Sequence, residues 1–102
     1  DLAVLVYRLT DSFPKSEQYA LTSQIRRAAS SIPANIAEGS RRKGSKDRIH
    51  FWVIAYGSGS ELESHLELSR RLSYVTAENL SGIESLLDEV MKILNRLTSS
   101  SG

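Results

Sequence analysis

The sequence predicts an all-α protein, an antiparallel up-down-up-down four-helix bundle. Apolar residues recur every three or four positions in four separate stretches, and polar turn residues separate these stretches. No stretch shows the two-residue alternation of a half-buried strand. Short polar connections favour antiparallel neighbours. With 102 residues the chain has room for one domain, which we place at 1–98, followed by a tail at 99–102 that we expect to be disordered.

The first helix is predicted over residues 1 to about 12. Its apolar face consists of Leu2, Leu5, Val6 and Leu9. Pro14 has no amide hydrogen and disfavours helical backbone at the residue before it, so the helix should end ahead of it. Ser16 belongs to the residue types that cap helices well, and we expect it to begin the second helix.

The second helix is predicted to run to Glu38 and is the stretch around which the chain is organised. Its apolar stripe consists of Leu21, Ile25, Ala28, Ala29, Ile32 and Ile36. Pro33 should kink it, because proline cannot donate to the carbonyl four residues earlier. Small side chains should let another helix come close. The residues assigned to this close packing are Ala28, Ala29, Pro33 and Ala37. Gly39 should end the helix in a left-handed conformation.

The third helix should follow a polar loop at residues 39–45 and extend for about 25 residues. Ser45 or Asp47 can cap it. Its apolar stripe consists of Phe51, Ala55, Ser58, Leu62, Leu66, Ser69 and Leu72. Gly57 and Gly59 each cost about 1 kcal/mol relative to alanine inside a helix. We therefore expect both glycines to offset that cost by close approach to the small residues of the second helix.

The fourth helix is predicted to begin after Thr76, which can cap it. Its seam consists of Leu80, Ile83, Leu87, Val90, Leu94 and Leu97, at the spacing of a coiled coil. This apolar area, added to that of the third helix, exceeds what one narrow bundle can hide. Trp52, Val53 and Tyr56 lie beside the main stripe of the third helix. We therefore predict a homo-oligomer with these three residues in its interface.

Several segments resemble the signature of the bacterial 23S ribosomal RNA intervening-sequence proteins, usually called the four-helix bundle protein family. These segments are residues 7–10, 12–14, 21–29, 31–39, 57–63 and 72–74. The resemblance implies a four-helix bundle assembled as a ring-like homopentamer, with genes often found inside intervening sequences of 23S ribosomal RNA genes. The chain is also similar to the accessory proteins of diversity-generating retroelements, which bind a reverse transcriptase and nucleic acid. Family members usually begin with another turn or two of helix, so we expect the first helix to be truncated.

The positive charge of the chain is concentrated at one bend. The whole chain carries +1, whereas residues 41–48 contain five cations and one acid, which gives +4. The cations are Arg41, Arg42, Lys43, Lys46 and Arg48. One interpretation is a solvated bend whose cations meet the negative end of the second helix. The other is contact with phosphates, and the resemblance raises the weight of this second interpretation. We predict that these five residues form a nucleic-acid contact.

An enzyme would need polar groups that converge on one place, and the sequence shows none. His50 and His65 are fifteen residues apart, about 22 Å along one helix, so they cannot share a site within one chain. A di-iron bundle would need Glu three residues before each histidine, where Asp47 and Leu62 stand. We predict no catalytic residues, no metal, no cofactor and no small-molecule substrate.

The composition also predicts where the protein works. There is no cysteine, which fits a reducing cytoplasm, and no apolar run approaches the ~20 residues that span a bilayer. We predict a cytoplasmic protein without a membrane partner. The leading hypothesis is a non-enzymatic oligomeric module that binds RNA or a nucleoprotein through the basic bend. The alternative is a protein-binding scaffold that docks a partner through the Trp52 and Tyr56 flank, with no nucleic-acid contact.

Overall fold

The computed structural model describes residues 1–99 and contains four α-helices. They are α1 (Leu2–Thr10), α2 (Leu21–Ser40), α3 (Ser45–Arg71) and α4 (Ala77–Ser99), with a short 3₁₀ turn at Lys15–Glu17. No strand occurs in the described part of the chain, which confirms the predicted all-α bundle. Each helix packs on its neighbours in the order α1, α2, α3, α4 and back to α1, which is compatible with the up-down order. Ser99 belongs to α4, and the rest of the predicted tail lies outside the described residues.

The helix starts follow the predicted caps only in part. Thr76 caps α4 as expected, because its Oγ1 accepts a hydrogen bond of 3.1 Å from the amide of Asn79. The predicted cap at Ser16 is wrong, since the amide of Glu17 bonds the carbonyl of Pro14 and closes a 3₁₀ turn there. The predicted caps of α3 are also wrong. Gly44 precedes that helix, and no side chain caps its first turn.

The core is formed by apolar side chains from all four helices. They are Leu2, Val6, Leu21, Ile25, Ala28, Ala29, Ile32, Ala55, Leu62, Leu66, Leu80, Ile83, Leu87, Met91 and Leu94, joined by Phe13 and Val75 from the connections. Four positions differ from the predicted stripes, and two of them are Leu5 of α1 and Leu97 of α4, which are exposed. In α4, Val90 was expected in the core but is only half-buried, and the neighbouring Met91 is buried in its place. Leu72 is 45% exposed at the end of α3.

Small residues do let α2 and α3 pack closely, but only some of those predicted. Ala28 and Ala29 are buried, and Ser58 Oγ on α3 donates to Ser31 Oγ on α2 at 2.8 Å. Pro33 and Ala37 are exposed and do not join this packing within the chain. Pro33 instead lines a cleft together with Leu2 of α1 and Val90 of α4. α2 itself continues as one helix through Pro33.

Gly39 does not terminate α2 in a left-handed conformation. No glycine among the described residues has positive φ, and α2 continues to Ser40. Gly39 is buried instead beneath an indole. A Cβ at this position would lie 2.7 Å from Nε1 of Trp52 and 2.9 Å from the carbonyl oxygen of Arg48. The glycine is therefore needed because α3 comes close to the end of α2.

The two glycines of α3 do not approach α2 as predicted. Gly57 is exposed, and a Cβ there would have no neighbour within 4 Å. Gly59 is buried, but a Cβ there would collide with the thioether of Met91 on α4. The periodicity of α3 identified the buried face correctly, whereas the neighbour that each glycine meets depends on how α3 is rotated between α2 and α4.

Candidate nucleic-acid interface

The predicted basic bend is shorter and more ordered than the sequence suggested. Because α2 ends at Ser40 and α3 begins at Ser45, only residues 41–44 lie outside the helices. Lys46 and Arg48 belong to the first turn of α3. We call residues 41–48 the basic turn. It brings all five predicted cations to one end of the α2–α3 pair.

Glu38 is a member of this site that sequence reasoning missed. Arg42 Nη2 contacts Glu38 Oε1 at 2.6 Å, and Arg41 Nη1 lies 3.9 Å from Glu38 Oε2. The signal was present in the sequence, because residues three and four apart on a helix are neighbours. With Glu38 and Asp47 both counted against the five cations, residues 38–48 carry +3 rather than +4.

Two of the five cations hold the shape of the turn. Arg48 donates from Nε to the carbonyl of Arg42 at 2.8 Å and from Nη2 to the carbonyl of Lys43 at 2.9 Å. These carbonyls lie just past the end of α2, where no helical amide can bond them. The Arg42 guanidinium also lies 4.8 Å from the ring centroid of Phe51. Arg42 and Arg48 are therefore committed to contacts within the chain.

The two lysines are placed differently. Lys43 and Lys46 are exposed, and neither forms an ion pair with another residue in the range 1–99. Both flank the start of α3, where Gly44 leaves the first amides without a side-chain cap. A helix start combines unpaired N–H donors with the positive end of the helix dipole. Two ammonium groups beside such a helix start can hold a phosphate.

The predicted oligomer interface lies next to the basic turn on α3. Trp52 is half-buried, and its Nε1 donates to the carbonyl of Ile36 at 3.3 Å. Much of the indole therefore serves contacts within the chain. Val53 and Tyr56 are 52% and 36% exposed, and Ile54, which sequence reasoning did not name, is 39% exposed. These three side chains leave an apolar surface on α3 that faces solvent in a single chain.

The histidines and acids of α3 form local contacts. His65 Nε2 lies 3.6 Å from Glu61 Oε1, and His50 packs edge-on against Phe51. Hydrogen bonds from Arg70 and Arg71 lower the pKa of Glu67 to about 2. These three residues form an ion-pair network on the surface of α3. Within residues 1–99, no three potential metal-ligating side chains lie together. No described helix is long and apolar enough to cross a membrane.

Comparisons with known proteins identify the family. The crystal structure of a protein with unknown function from the S23 ribosomal protein family of Bacteroides thetaiotaomicron VPI-5482 matches with a TM-score of 0.83 and 29% sequence identity. The match covers 95% of this chain and 88% of that one. No curated protein matches significantly. The family model described as 23S rRNA-intervening sequence protein matches residues 1–96, and neither description names an enzymatic activity. The chain therefore belongs to the 23S rRNA-intervening sequence protein family.

Proposed function

We propose that this protein is a non-enzymatic, homo-oligomeric helical module that binds RNA, alone or within a nucleoprotein, through the basic turn. The observation that carries the proposal is the position of Lys43 and Lys46. Both are exposed, neither has an ion-pair partner among residues 1–99, and both flank the uncapped start of α3. Arg41 is exposed as well and has only a long contact with Glu38. The family description, which refers to 23S rRNA, supports RNA as the ligand.

The expected mode of binding is electrostatic contact with the phosphate backbone. Lysines at an exposed turn reach phosphates more readily than base edges, so sequence preference should be weak. The Arg42 guanidinium lies over one face of the Phe51 ring at 4.8 Å, so that face is not available for base stacking. Binding should therefore depend strongly on salt, with a slope of log affinity against log salt of roughly −0.7 for each neutralised phosphate of a single strand.

Self-association would multiply this modest charge. Val53, Ile54 and Tyr56 give each chain an exposed apolar surface on α3, close to the basic turn. A ring would repeat the basic turn once per subunit, so that one RNA strand could contact several copies. We propose a homopentamer, as the family resemblance implies, acting in the cytoplasm.

Two opposite substitutions test the site. In Lys43→Ala/Lys46→Ala the unpaired cations are lost. The salt slope for a dodecameric oligouridine should become shallower by about 1.4 for each subunit that the RNA contacts, or 0.7 per lost phosphate contact. In Glu38→Gln the acid that holds Arg41 and Arg42 is neutralised, so affinity at low salt should rise.

Fluorescence anisotropy between about 50 and 200 mM salt measures both effects. Lys92→Ala is the matched control, because Lys92 is an exposed α4 lysine paired with Asp88 at 3.1 Å. Its slope should equal that of the wild type. If Lys43→Ala/Lys46→Ala binds with unchanged affinity and slope, the basic turn is only a solvated helix connection.

The exposed apolar surface on α3 supports a second candidate, a scaffold that binds another protein without nucleic acid. In that case the surface of Val53, Ile54 and Tyr56 would dock the partner. Val53→Asp separates the two functions. It should abolish partner capture under the scaffold hypothesis, whereas under our proposal it should dissociate the oligomer and weaken RNA binding by loss of multivalency.

A further inference from the structure

An apolar groove runs between α2 and α4 on the side of the bundle where α1 lies. α1 and α3 occupy opposite corners of the bundle, because each packs on both α2 and α4 while these two helices, both within the described residues, do not contact each other. α1 has 9 residues and α4 has 23, which correspond to about 13 Å and 34 Å of helix. α1 therefore covers only part of the groove.

The uncovered part begins as a cleft of about 240 Å³ at the first residues of α1. Apart from Asp1 its lining is apolar and consists of Leu2, Ala3, Ile32, Pro33, Ile36, Leu86 and Val90. Ile93 lies seven residues after Leu86, and therefore on the same side of α4 two turns further along. Leu97 follows Val90 in the same way. Ile93 and Leu97 are 53% and 37% exposed, and we call the cleft together with these two side chains the α2–α4 groove.

The shape of the α2–α4 groove suits a helix. Its covered half already holds one, since Leu2 and Val6 are buried where α1 packs on α2 and α4. The open half continues the same two walls, with Pro33 and Ile36 on α2 and the apolar side of α4 opposite them. An apolar groove that continues an existing helix contact fits a further helix with an exposed apolar face.

The proposed ring requires a second surface of this kind. In a ring of more than two chains each contact joins two different patches, one from each neighbour. The proposed function supplies only one patch, the exposed side chains of Val53, Ile54 and Tyr56, which we call the α3 surface. Because α1 and α3 lie at opposite corners of the bundle, the α3 surface and the α2–α4 groove face different neighbours.

Gly57 supports the approach of another chain to the α3 surface. It lies within four residues of all three members of that surface, it is exposed, and a Cβ there would have no neighbour within 4 Å. Glycine is unfavourable inside a helix, and no contact in the described part of the chain offsets that cost. Close packing of a second chain against α3 accounts for it.

We propose that the α2–α4 groove of one chain receives the α3 surface of the next chain, and that this one repeated contact builds the ring. The inference rests on the proposed function in that the chain assembles into a ring. It deepens that function by naming the partner of the α3 surface, which is a different face of an identical chain. The contact covers Ile93 and Leu97, two exposed residues of the groove.

The test mixes two variants that each damage one side of the contact. Val53→Asp disables the α3 surface and Ile93→Asp disables the groove, because burial of an unpaired carboxylate is unfavourable. Alone, neither variant can form the contact, and its self-association should weaken at least about hundredfold. In an equal mixture, Val53→Asp offers an intact groove and Ile93→Asp an intact α3 surface. The mixture should therefore form pairs that contain one chain of each variant.

Native mass spectrometry identifies such a pair when one variant carries a heavy-isotope label. Val53 and Ile93 are both more than half exposed in the single chain, so both variants should fold, which urea unfolding checks. Leu97→Asp changes a second residue of the groove and should act like Ile93→Asp. Leu68→Asp is the matched control. Leu68 is 45% exposed on α3, about 22 Å from Val53 along the helix, and this variant should keep the wild-type mass.

The outcomes separate this inference from the proposed function. If the wild type is an oligomer and Ile93→Asp has the same mass, the α2–α4 groove is not an interface between copies, and the inference fails while the proposed oligomer stands. If both variants are single chains and their mixture is too, the α3 surface does not bind the groove, and the inference again fails alone. If the wild type is itself a single chain, the proposed oligomer fails as well.

Discussion

A single methyl group at residue 39 tests how the end of the bundle beside the basic turn is packed. In Gly39→Ala the new Cβ would lie 2.7 Å from Nε1 of Trp52 and 2.9 Å from the carbonyl of Arg48. The indole can rotate away only by giving up its hydrogen bond to Ile36, and the carbonyl of Arg48 belongs to the backbone of α3. The substitution must therefore push α3 away from α2 or displace Trp52.

The free energies of the separate effects can be compared. Alanine gains at most about 1 kcal/mol over glycine in a helix. Overpacking costs typically about 1–3 kcal/mol, and a lost hydrogen bond adds about 0.5–1.5 kcal/mol. We expect Gly39→Ala to lower the free energy of unfolding by about 2 kcal/mol. For a domain of this size that lowers the melting temperature by roughly 8–16 °C.

Urea unfolding followed by tryptophan fluorescence is the appropriate assay, because Trp52 is the single tryptophan of the chain. Gly82→Ala is the matched control. It makes the same substitution in α4, where a Cβ would have no neighbour within 4 Å, so it should stabilise by up to about 1 kcal/mol. If Gly39→Ala stabilises as much as Gly82→Ala and leaves the fluorescence unchanged, Trp52 does not lie over Gly39 and the described packing is wrong.

Two further predictions concern the packing of α3 on α4 and the hydrogen bond between Tyr74 and Glu17. Gly59→Leu should destabilise by about 1–3 kcal/mol because it overlaps Met91 on α4. In urea unfolding, Met91→Ala should remove most of that cost in the double variant, and additive effects would show that the two residues do not touch. Tyr74 donates to Glu17 Oε2 at 2.6 Å, and this hydrogen bond raises the pKa of Tyr74. The stability it contributes is present below the unfolded pKa of about 10 and is lost as the pH rises through the raised folded pKa. Urea midpoints of Tyr74→Phe should lack this loss, and parallel pH profiles of the two proteins would refute the linkage.

Periodicity alone predicted the four helices, because each buries one stripe against the others. The stripe of α4 shows this well, since Leu80, Ile83, Leu87 and Leu94 are buried as expected. The helix starts were less predictable. A serine such as Ser16 caps a helix only if its own backbone is non-helical. Here Ser16 lies inside the 3₁₀ turn that the hydrogen bond between Glu17 and Pro14 closes.

The glycines show where a one-dimensional pattern stops being informative. Gly39 was expected to end a helix and instead makes room for Trp52, whereas Gly57 was expected in a close contact and faces open space. Propensity says only that a glycine in a helix needs a compensating gain. Which neighbour supplies that gain depends on the rotation of α3 relative to α2 and α4, which the spacing of apolar residues does not fix.

The candidate site was predictable as a cluster but not as an arrangement. The five cations are adjacent in the sequence, so their proximity needed no structure. Their different roles could be seen only in the structure. Arg48 turns back to the carbonyls of the turn and Arg42 is held by Glu38 and Phe51, which leaves Lys43 and Lys46 exposed.

The mass of the native protein, with and without RNA, tests the central claim most directly. Native mass spectrometry of the wild type should show a homo-oligomer, with five chains of 11.3 kDa each as the predicted number. Addition of the dodecameric oligouridine should add the mass of the RNA to that oligomer, and Lys43→Ala/Lys46→Ala should keep the oligomer while carrying less RNA at the same RNA concentration. A wild-type spectrum that shows single chains without bound RNA would contradict the account.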